Sequence, residues 1–288
     1  MFRRDAGRNG IYVHFPYCIR KCHYCDFYSA GIASVSRPGP EERHVSDPVL
    51  ADFRAGVFEE FAARRQDYAD FSEVNTVFFG GGTASLMPPQ LIAELLELFR
   101  GSFVFTEDVE ITLEGNPENF SADYLAEVRS AGINRINVGL QTFREDLLDA
   151  MDRYYDPGRY GEILKNLRES GIPAIGGDLI YGFPGQSTDD VLEDVERTVA
   201  AGVNHLSIYS LTVESGTPYA ARIQRGQANE PDESLQDDMF HRLPPLLAQQ
   251  GFEHYEVSNF ARPGYACRHN LRYWLYESYM GLGPGAHG

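Results

Sequence analysis

A regular alternation of apolar and amphipathic segments limits the folds open to this 288-residue sequence. Six short apolar segments have the pattern of buried strands, at residues 11–15, 74–79, 109–113, 135–140, 175–181 and 205–211. Helical segments separate most of them, and strands joined through helices run parallel to one another. The sequence therefore predicts an α/β fold whose parallel strands form a partial or complete β/α barrel. A doubly wound open sheet is the alternative.

The predicted helices end at residues that commonly stop helices. They span residues 47–65, 91–99, 122–131, 145–151, 160–170, 189–201 and 233–250, and Gly132, Gly202 and Gly251 follow three of them. Residues 30–43 are rich in Gly, Pro and Ser and predict a loop, whereas residues 254–258 predict one more strand. We expect a barrel core at residues 1–215 and an extension of helix and strand at residues 216–288.

Three of the four cysteines follow the first predicted strand. Cys18, Cys22 and Cys25 have the spacing C-x3-C-x2-C, and a clustered set of this kind favours a metal site over a disulfide framework. Three thiolates are one short of a closed four-ligand site for zinc or for an iron–sulfur cluster. A [4Fe–4S] cluster on three cysteines keeps one iron open for a further ligand. The alternative is a zinc site completed by His14 or His23.

A run of glycines follows the second predicted strand. Gly80, Gly81 and Gly82 precede Thr83, and consecutive glycines let a ligand lie against the main chain because no Cβ stands in the way. A tight turn is the simpler interpretation of such a run taken alone, but its position behind a three-cysteine loop favours a ligand site.

Polar residues also lie at the ends of later predicted strands, where a β/α barrel places its site. Glu114, Gln141 and Asp178 lie at or near such ends, and Arg153 follows the helix after Gln141. Carboxylates accept hydrogen bonds from ribose hydroxyls, and an arginine pairs with a ligand carboxylate. Each of these residues alone is as well explained as an ordinary loop group, but their shared position predicts a common site.

Composition and charge narrow the class of protein. With 43% hydrophobic residues the chain can form a large core, and it contains no apolar run long enough to span a membrane. The N-terminal segment lacks the apolar stretch of a signal peptide. The formal net charge of −17 argues against a nucleic-acid partner, because phosphate backbones attract basic patches. We therefore expect a cytoplasmic protein.

Taken together, the motifs resemble the radical S-adenosyl-L-methionine (SAM) superfamily, in its HemN/HemW branch of coproporphyrinogen dehydrogenases and heme chaperones. The resemblance covers nearly the whole chain and rests on Y-V-H-F-P-Y-C-I-R-K-C-H-Y-C-D-F, G-G-G-T-A-S-L, L-E-G-N-P-E, R-I-N-V-G-L-Q-T-F, G-G-D-L-I-Y-G-F-P-G-Q and H-N-L-R-Y-W. It implies a [4Fe–4S] cluster whose open iron binds SAM and passes an electron to the sulfonium.

Matched position by position, the resemblance implies two sets of SAM-binding residues. Those that would serve the cluster-bound SAM, beside the three cysteines, are Tyr12, Gly81 and Glu114. Those that match positions for a second SAM in the dehydrogenases are Gly82, Thr83, Gln141, Arg153 and Asp178. Ala84 stands where proline is usual, which we expect to alter only the stiffness of the loop.

Two features favour the HemW-type heme chaperones over the dehydrogenases. Phe27 occupies the position of a further cysteine in the dehydrogenases, and the H-N-x-x-Y-W motif that begins at His269 is typical of the chaperones. A neutral His269 imidazole can ligate heme iron, while Tyr273 and Trp274 can lie against the porphyrin. The alternative is a core histidine satisfied by a hydrogen bond.

This sequence differs from the family pattern at some positions, and the resemblance also implies binding partners. Tyr155 stands where the chaperones usually have a histidine, and relatives continue beyond the position of Gly288, which implies that an accessory C-terminal domain is missing. The implied function is binding of heme or a related tetrapyrrole and its delivery to heme-acceptor proteins. Transient contact with a membrane surface is compatible with this function. The alternatives are oxidative decarboxylation of coproporphyrinogen III, another radical-SAM porphyrin reaction, and a zinc-stabilised binding module.

Overall fold

The computed structural model describes residues 8–32, 45–71, 73–153 and 155–288. Most of the loop predicted at residues 30–43 lies outside these ranges. Within them, the strands in chain order are β1 (Arg8–Phe15), β2 (Tyr17–Cys18), β3 (Ala30–Gly31), β4 (Glu73–Gly81), β5 (Val104–Gly115), β6 (Arg135–Gln141), β7 (Ala174–Tyr181), β8 (His205–Ser210), β9 (Glu253–His254), β10 (Asn259–Ala261) and β11 (Tyr279–Leu282).

One large sheet organises the described part of the chain. Its strand order is β11-β1-β4-β5-β6-β7-β8-β10-β9, and every pair from β11 through β8 is parallel. The six predicted strands follow one another in chain order across this sheet. A doubly wound sheet would reverse its order at a switch point, so that alternative is wrong, and the predicted partial β/α barrel is confirmed.

Helices cover the outer face of the sheet. They are α1 (Asp47–Arg64), α2 (Pro89–Arg100), α3 (Ala122–Ala131), α4 (Glu145–Ala150), α5 (Tyr160–Glu169), α6 (Thr188–Ala200), α7 (Pro218–Gln224), α8 (Glu233–Gln249) and α9 (Arg268–Leu275). The helices predicted from the sequence match seven of these to within about two residues, because local capping fixes their ends. Gly132, for example, ends α3 with a left-handed φ of 117°. None of the described helices is both long enough and apolar enough to cross a lipid bilayer.

The strand predicted at residues 254–258 is wrong. Only its first residue, His254, lies in a strand, β9, and residues 255–258 form the turn to β10, which pairs antiparallel with both β9 and β8. The Asn259 side chain donates to the Glu256 carboxylate, and the Asn259 backbone N–H donates to the Glu256 carbonyl. These contacts close the turn, whereas the alternation of apolar and polar residues there imitates a strand.

Both faces of the parallel strands are buried, but they differ in polarity. On β5 the apolar Ile111 and Leu113 belong to the hydrophobic core, whereas Glu110 and Thr112, which alternate with them, are buried polar residues. Successive strand residues point to opposite faces, so the apolar face lies under the helices and the polar face lies inside the barrel. The barrel interior therefore offers hydrogen-bonding groups rather than the branched aliphatic layers common in such barrels.

Residues 216–288 complete both edges of the sheet. β10 joins β8 at one edge, and β11 joins β1 at the other. The extension thus packs against the barrel core through main-chain pairing. The division of the chain at residue 215 stays a prediction.

Candidate functional site

The cysteine-bearing loop leaves the sheet at the C-terminal end of β1. Two short strands close its base, since Tyr17 in β2 pairs with Ala30 in β3. The Ala30 N–H donates to the Pro16 carbonyl at 2.8 Å, and the Ile32 N–H donates to the Cys18 carbonyl at 2.9 Å. The segment at residues 16–30, here called the cluster loop, is therefore a closed unit at the edge where the parallel strands end.

The three predicted metal-binding thiols lie together on this loop as free cysteines. Each is partly buried, and the Thr83 hydroxyl donates to Cys18 Sγ at 3.4 Å. Burial is the main cause that raises the pKa of the Cys25 thiol to about 11, with smaller raising contributions from Cys22 and Cys18 and a lowering contribution from a Phe27 backbone hydrogen bond. Metal binding must therefore displace protons from this group, as is usual for thiolate sites.

The predicted glycine run lies directly against the cluster loop. The Gly82 N–H donates to the Phe15 carbonyl at 2.8 Å, and the Thr83 N–H donates to the Tyr17 carbonyl at 2.9 Å. A Cβ at Gly80 would lie 2.8 Å from Glu114 Oε2, one at Gly81 would lie 2.8 Å from the His14 ring, and one at Gly82 would lie 2.8 Å from the Tyr17 carbonyl oxygen. Only glycine fits these three positions without a shift of its neighbours.

The three residues predicted to serve the cluster-bound SAM share one cavity. Tyr12, Gly81 and Glu114 line a space of about 250 Å³ inside the barrel mouth. Its other walls come from β6, β8, β10 and α9, with Asn137, His205, Ser207, Tyr209, Asn259, Asn270 and Tyr273 among the lining residues. The structure thus brings together three residues that are far apart in the sequence and that the family resemblance had grouped.

The residues matched to a second SAM form a neighbouring group around a residue that the sequence did not single out. Asn116 donates through Nδ2 to Thr83 Oγ1 at 3.3 Å, and its Oδ1 accepts from Arg153 Nη2 at 3.1 Å. Arg153 Nη2 also donates to the Gly139 carbonyl, close to Gln141, whose φ is 68°. Asn116 lies two residues past Glu114 in L-E-G-N-P-E. Its position just beyond a strand end could therefore have identified it as a site residue from the sequence.

Asp178 lies deeper, on β7, in register with Gly139 on β6. Burial raises its pKa to about 6, opposed by a hydrogen bond from Ser207 and by the charges of Arg135 and Arg153. Its Oδ1 atom is buried and has no hydrogen-bond partner in the described part of the chain. A buried acceptor without a partner is unfavourable unless a ligand or water supplies the missing donor.

Comparison with known proteins decides the family. Residues 12–198 match the Radical SAM superfamily. The chain belongs to the radical SAM superfamily. The heme chaperone HemW of Mycobacterium tuberculosis is 39% identical over 279 residues, which cover 97% of this chain and 69% of that protein. The heme chaperone HemW of Escherichia coli is 34% identical, covering 96% of this chain and 69% of that protein.

A solved structure supports the same fold. The structure of coproporphyrinogen III oxidase (HemN) from Escherichia coli, a radical SAM enzyme, superposes with a TM-score of 0.76 at 22% identity. The match covers 97% of this chain, and the chain spans 64% of the length of that protein. The relatives confirm the predicted HemN/HemW branch, and the structural likeness confirms the partial β/α barrel.

Membership of the radical SAM superfamily implies a [4Fe–4S] cluster and SAM, and the residues present fit both. The loop offers three thiols and no fourth cysteine, since Cys267 is buried against Glu110 Oε1 at 3.6 Å, outside the cluster loop. Gly81 of the glycine run lines the cavity and is only partly buried, and Asp178 Oδ1 is a buried acceptor without a hydrogen-bond partner among the described residues. These features match a cluster with one open iron and a polar nucleotide ligand.

The zinc alternative finds no support from its two proposed histidines. His14 has a hydrogen bond to the Tyr12 hydroxyl through Nδ1 and to the Tyr28 carbonyl through Nε2. His23 lies 3.3 Å from Asp152 through Nε2 and 3.5 Å from Arg222 through Nδ1. Both ring nitrogens of each histidine are thus engaged.

His269, the predicted heme ligand, lies in the barrel wall rather than at its surface. It is 0% exposed, its Nδ1 shares a hydrogen bond of 2.9 Å with the Thr76 hydroxyl, and its Nε2 has no described partner. The ring stacks on Phe78 and Tyr12 at centroid distances of 5.2 and 6.2 Å. Burial, aided by the charge of Arg272, lowers its pKa to about 3, so the imidazole is neutral. Its role towards heme stays a prediction.

The carboxyl of Glu114 gives the cofactor-free protein a specific pH dependence. Burial, with the charge of Asp178, raises its pKa from the ordinary 4.5 to about 8. A carboxyl that holds its proton more tightly when folded stabilises the fold at low pH, and stability falls as pH rises from about 4.5 to about 8. We expect Glu114→Gln to flatten this decline and to add about 2 kcal/mol at pH 8, a figure reduced because the side chain faces the cavity.

The measurement is urea unfolding of metal-free wild type and Glu114→Gln at several pH values from about 5 to about 8. The wild-type free energy of unfolding should decrease across this range more steeply than that of the variant. Equal slopes for the two proteins would contradict the assignment.

Proposed function

We propose that this chain binds a [4Fe–4S] cluster, SAM and heme, and that it delivers heme to acceptor proteins as a heme chaperone. The observation that carries the proposal is the meeting of the cluster loop, the glycine run and the Tyr12–Glu114 cavity at one end of the barrel. The relatives named as heme chaperones, at 34–39% identity over nearly the whole chain, support the heme part. A cytoplasmic location stays a prediction.

Within this proposal, each group of residues has a separate task. Cys18, Cys22 and Cys25 hold the cluster, which when bound supplies one electron to a sulfonium ligand. Gly81 contributes main chain to the wall of the cavity proposed to hold SAM, and Tyr12 and Glu114 form the adjoining polar wall. The group around Asn116, with Gly82, Thr83, Gln141, Arg153 and Asp178, is proposed for the second nucleotide position.

The aromatic rim of the cavity supports binding of a flat apolar macrocycle. Phe27, Tyr209 and Tyr273 line the cavity and are 64%, 45% and 42% exposed. The cavity, at about 250 Å³, is smaller than the roughly 300–1,000 Å³ of pockets that enclose drug-sized ligands. A tetrapyrrole would therefore lie across the rim and not inside the barrel, with its face against these rings.

The experiment is a heme titration of the cluster-loaded chain, followed by absorbance. We expect one heme per chain, and about tenfold weaker binding in Phe27→Ala, because one exposed aromatic face contributes roughly 1 kcal/mol or more to stacking. Tyr276→Ala is the matched control: Tyr276 is 89% exposed and is not among the residues that line the cavity, so its removal should leave binding unchanged.

His269→Ala in the same titration tests the proposed axial ligand. The unpartnered Nε2 atom of His269 can reach heme iron only if the rings packed on the imidazole move. If they do, His269→Ala should lose the absorbance signature of a histidine ligand. An unchanged spectrum removes His269 from the site. Equal heme affinity in wild type and Phe27→Ala contradicts the rim proposal.

The grouping of the second-SAM residues around Asn116 favours one alternative, the coproporphyrinogen III dehydrogenase reaction. Incubation of the loaded chain with coproporphyrinogen III, SAM and a reductant separates the two functions. The chaperone proposal predicts no release of carbon dioxide, whereas stoichiometric release would replace it with the decarboxylation.

A further inference from the structure

Three consecutive residues after α4 each hold the cluster loop. The Met151 carbonyl accepts from the His23 N–H at 3.1 Å, and Asp152 Oδ2 lies 2.5 Å from Arg20 Nε and 3.3 Å from His23 Nε2. Arg153 Nη1 donates to Cys22 Sγ at 3.5 Å. Residues 151–153, here called the loop dock, thus contact main chain, charged side chains and a predicted metal ligand of the same loop.

The guanidinium of Arg153 is fixed by an almost complete set of contacts. Besides Cys22, Nη1 donates to the Tyr24 hydroxyl at 3.1 Å, and Nη2 donates to Asn116 Oδ1 and to the Gly139 carbonyl, each at 3.1 Å. An arginine has five N–H donors, so these contacts use all four on the two terminal nitrogens. Only Nε is without a partner among the described residues.

Residues close to Arg153 in the sequence also hold its guanidinium in place. Arg153 is buried, and its guanidinium carbon lies 4.6 Å from the centre of the Tyr155 ring. Asp152 adopts a left-handed φ of 59°, a conformation that costs about 1 kcal/mol or more for a non-glycine residue and persists where surrounding contacts enforce it. The buried cation therefore cannot turn to a new partner without loss of several contacts.

We infer that Arg153 is a positioning residue for the iron–sulfur cluster: it holds Cys22 in the cluster loop and, through its N–H···S contact, raises the reduction potential of the cluster. The inference rests on the cluster part of the proposed function. Reduction adds negative charge to a cluster and its thiolates, so a fixed cation and a hydrogen bond to a ligand sulfur favour the reduced state.

This inference gives Arg153 a different task from the one that the family resemblance implies. A carboxylate of a second SAM normally pairs with two N–H groups of one guanidinium face. In this structure those groups already serve Cys22, Tyr24, Asn116 and Gly139. A carboxylate that pairs with two N–H groups would therefore have to displace at least one of these four partners, even if it uses the unpartnered Nε.

The test compares wild type with Arg153→Gln and Arg153→Lys, using the whole chain without heme. At a solution potential where half of the wild-type cluster is reduced, we expect the ratio of reduced to oxidised cluster in Arg153→Gln to fall about tenfold, which is 59 mV for one electron. Arg153→Lys, which keeps the charge, should recover part of the difference. Arg159→Gln is the matched control, because Arg159 is an exposed arginine that pairs with Glu162 at 3.6 Å.

Hydrogen exchange of the metal-free chain supplies a second readout. The amide of His23 is bonded to the loop dock, so we expect its exchange to be about tenfold faster in Arg153→Gln than in wild type. The inference is overturned if Arg153→Gln binds a full cluster whose reduction potential equals that of wild type. If Arg153→Gln takes up no cluster, the inference is overturned when the His23 amide exchanges hydrogen at the wild-type rate. A failure of the cluster proposal itself would show earlier, as a wild-type chain that forms no cluster.

Discussion

Replacement of Cys18, Cys22 and Cys25 together by serine is expected to abolish assembly of the iron–sulfur cluster. After anaerobic reconstitution with iron and sulfide, the wild-type chain should hold about four iron atoms, and the triple variant should hold essentially none. Serine keeps the shape of the side chain but ionises far less readily than a thiol, so it supplies no comparable ligand at neutral pH. Iron content and the visible absorbance of the cluster are the measurements.

The fourth cysteine provides a matched control for this experiment. Cys267 is buried at the start of α9, and its Sγ contacts Glu110 Oε1 and not the cluster loop. Cys267→Ser should therefore retain the full iron content. Substantial cluster formation in the triple variant, or loss of the cluster in Cys267→Ser with the fold intact, would contradict the assignment of ligands.

Gly81→Ala is expected to weaken SAM binding by at least about tenfold. Gly81 has a φ of 112°, where a residue with a Cβ is strained by roughly 1–2 kcal/mol. The new Cβ would also lie 2.8 Å from the His14 ring and 2.9 Å from the Phe15 carbonyl oxygen. Relief of these contacts must move the glycine run away from β1, and the main chain proposed to contact SAM moves with it.

The readout is a SAM titration of the reduced, cluster-loaded chain, followed by electron paramagnetic resonance. Gly56→Ala is the control, because Gly56 lies in α1 and a Cβ there meets no atom within 4 Å. That variant should keep the wild-type SAM affinity. A Gly81→Ala protein that carries its cluster and binds SAM as tightly as wild type would show that the glycine run does not contact the ligand.

Much of the fold could be predicted because its signals are local. The six parallel strands are short apolar segments, and residues such as Gly132 and Ser187 end or begin helices through contacts within one turn. The strand-end residues Glu114 and Gln141 could be assigned to one end of the barrel because parallel strands bring their C-terminal ends together, whereas Tyr12 could be assigned only through the family resemblance. None of these predictions needs a contact between distant segments to be known in advance.

Other features depend on such contacts and left no local signal. β11, only four residues long, becomes a strand because it pairs with β1 at the far end of the chain. The contact between Cys22 and Arg153 joins residues 131 positions apart. The burial of His269 results from rings contributed by β1, β4 and β11, so the motif around it reveals its chemistry but not its accessibility.

The central claim is that three thiolates hold a cluster with one iron free to bind SAM. It is tested most directly by the electron paramagnetic resonance spectrum of the reduced, reconstituted wild-type chain before and after SAM is added. The account predicts the signal of a reduced [4Fe–4S] cluster that changes its shape when SAM binds. A cluster signal that stays the same at saturating SAM, or a chain that takes up zinc and forms no cluster, would contradict it.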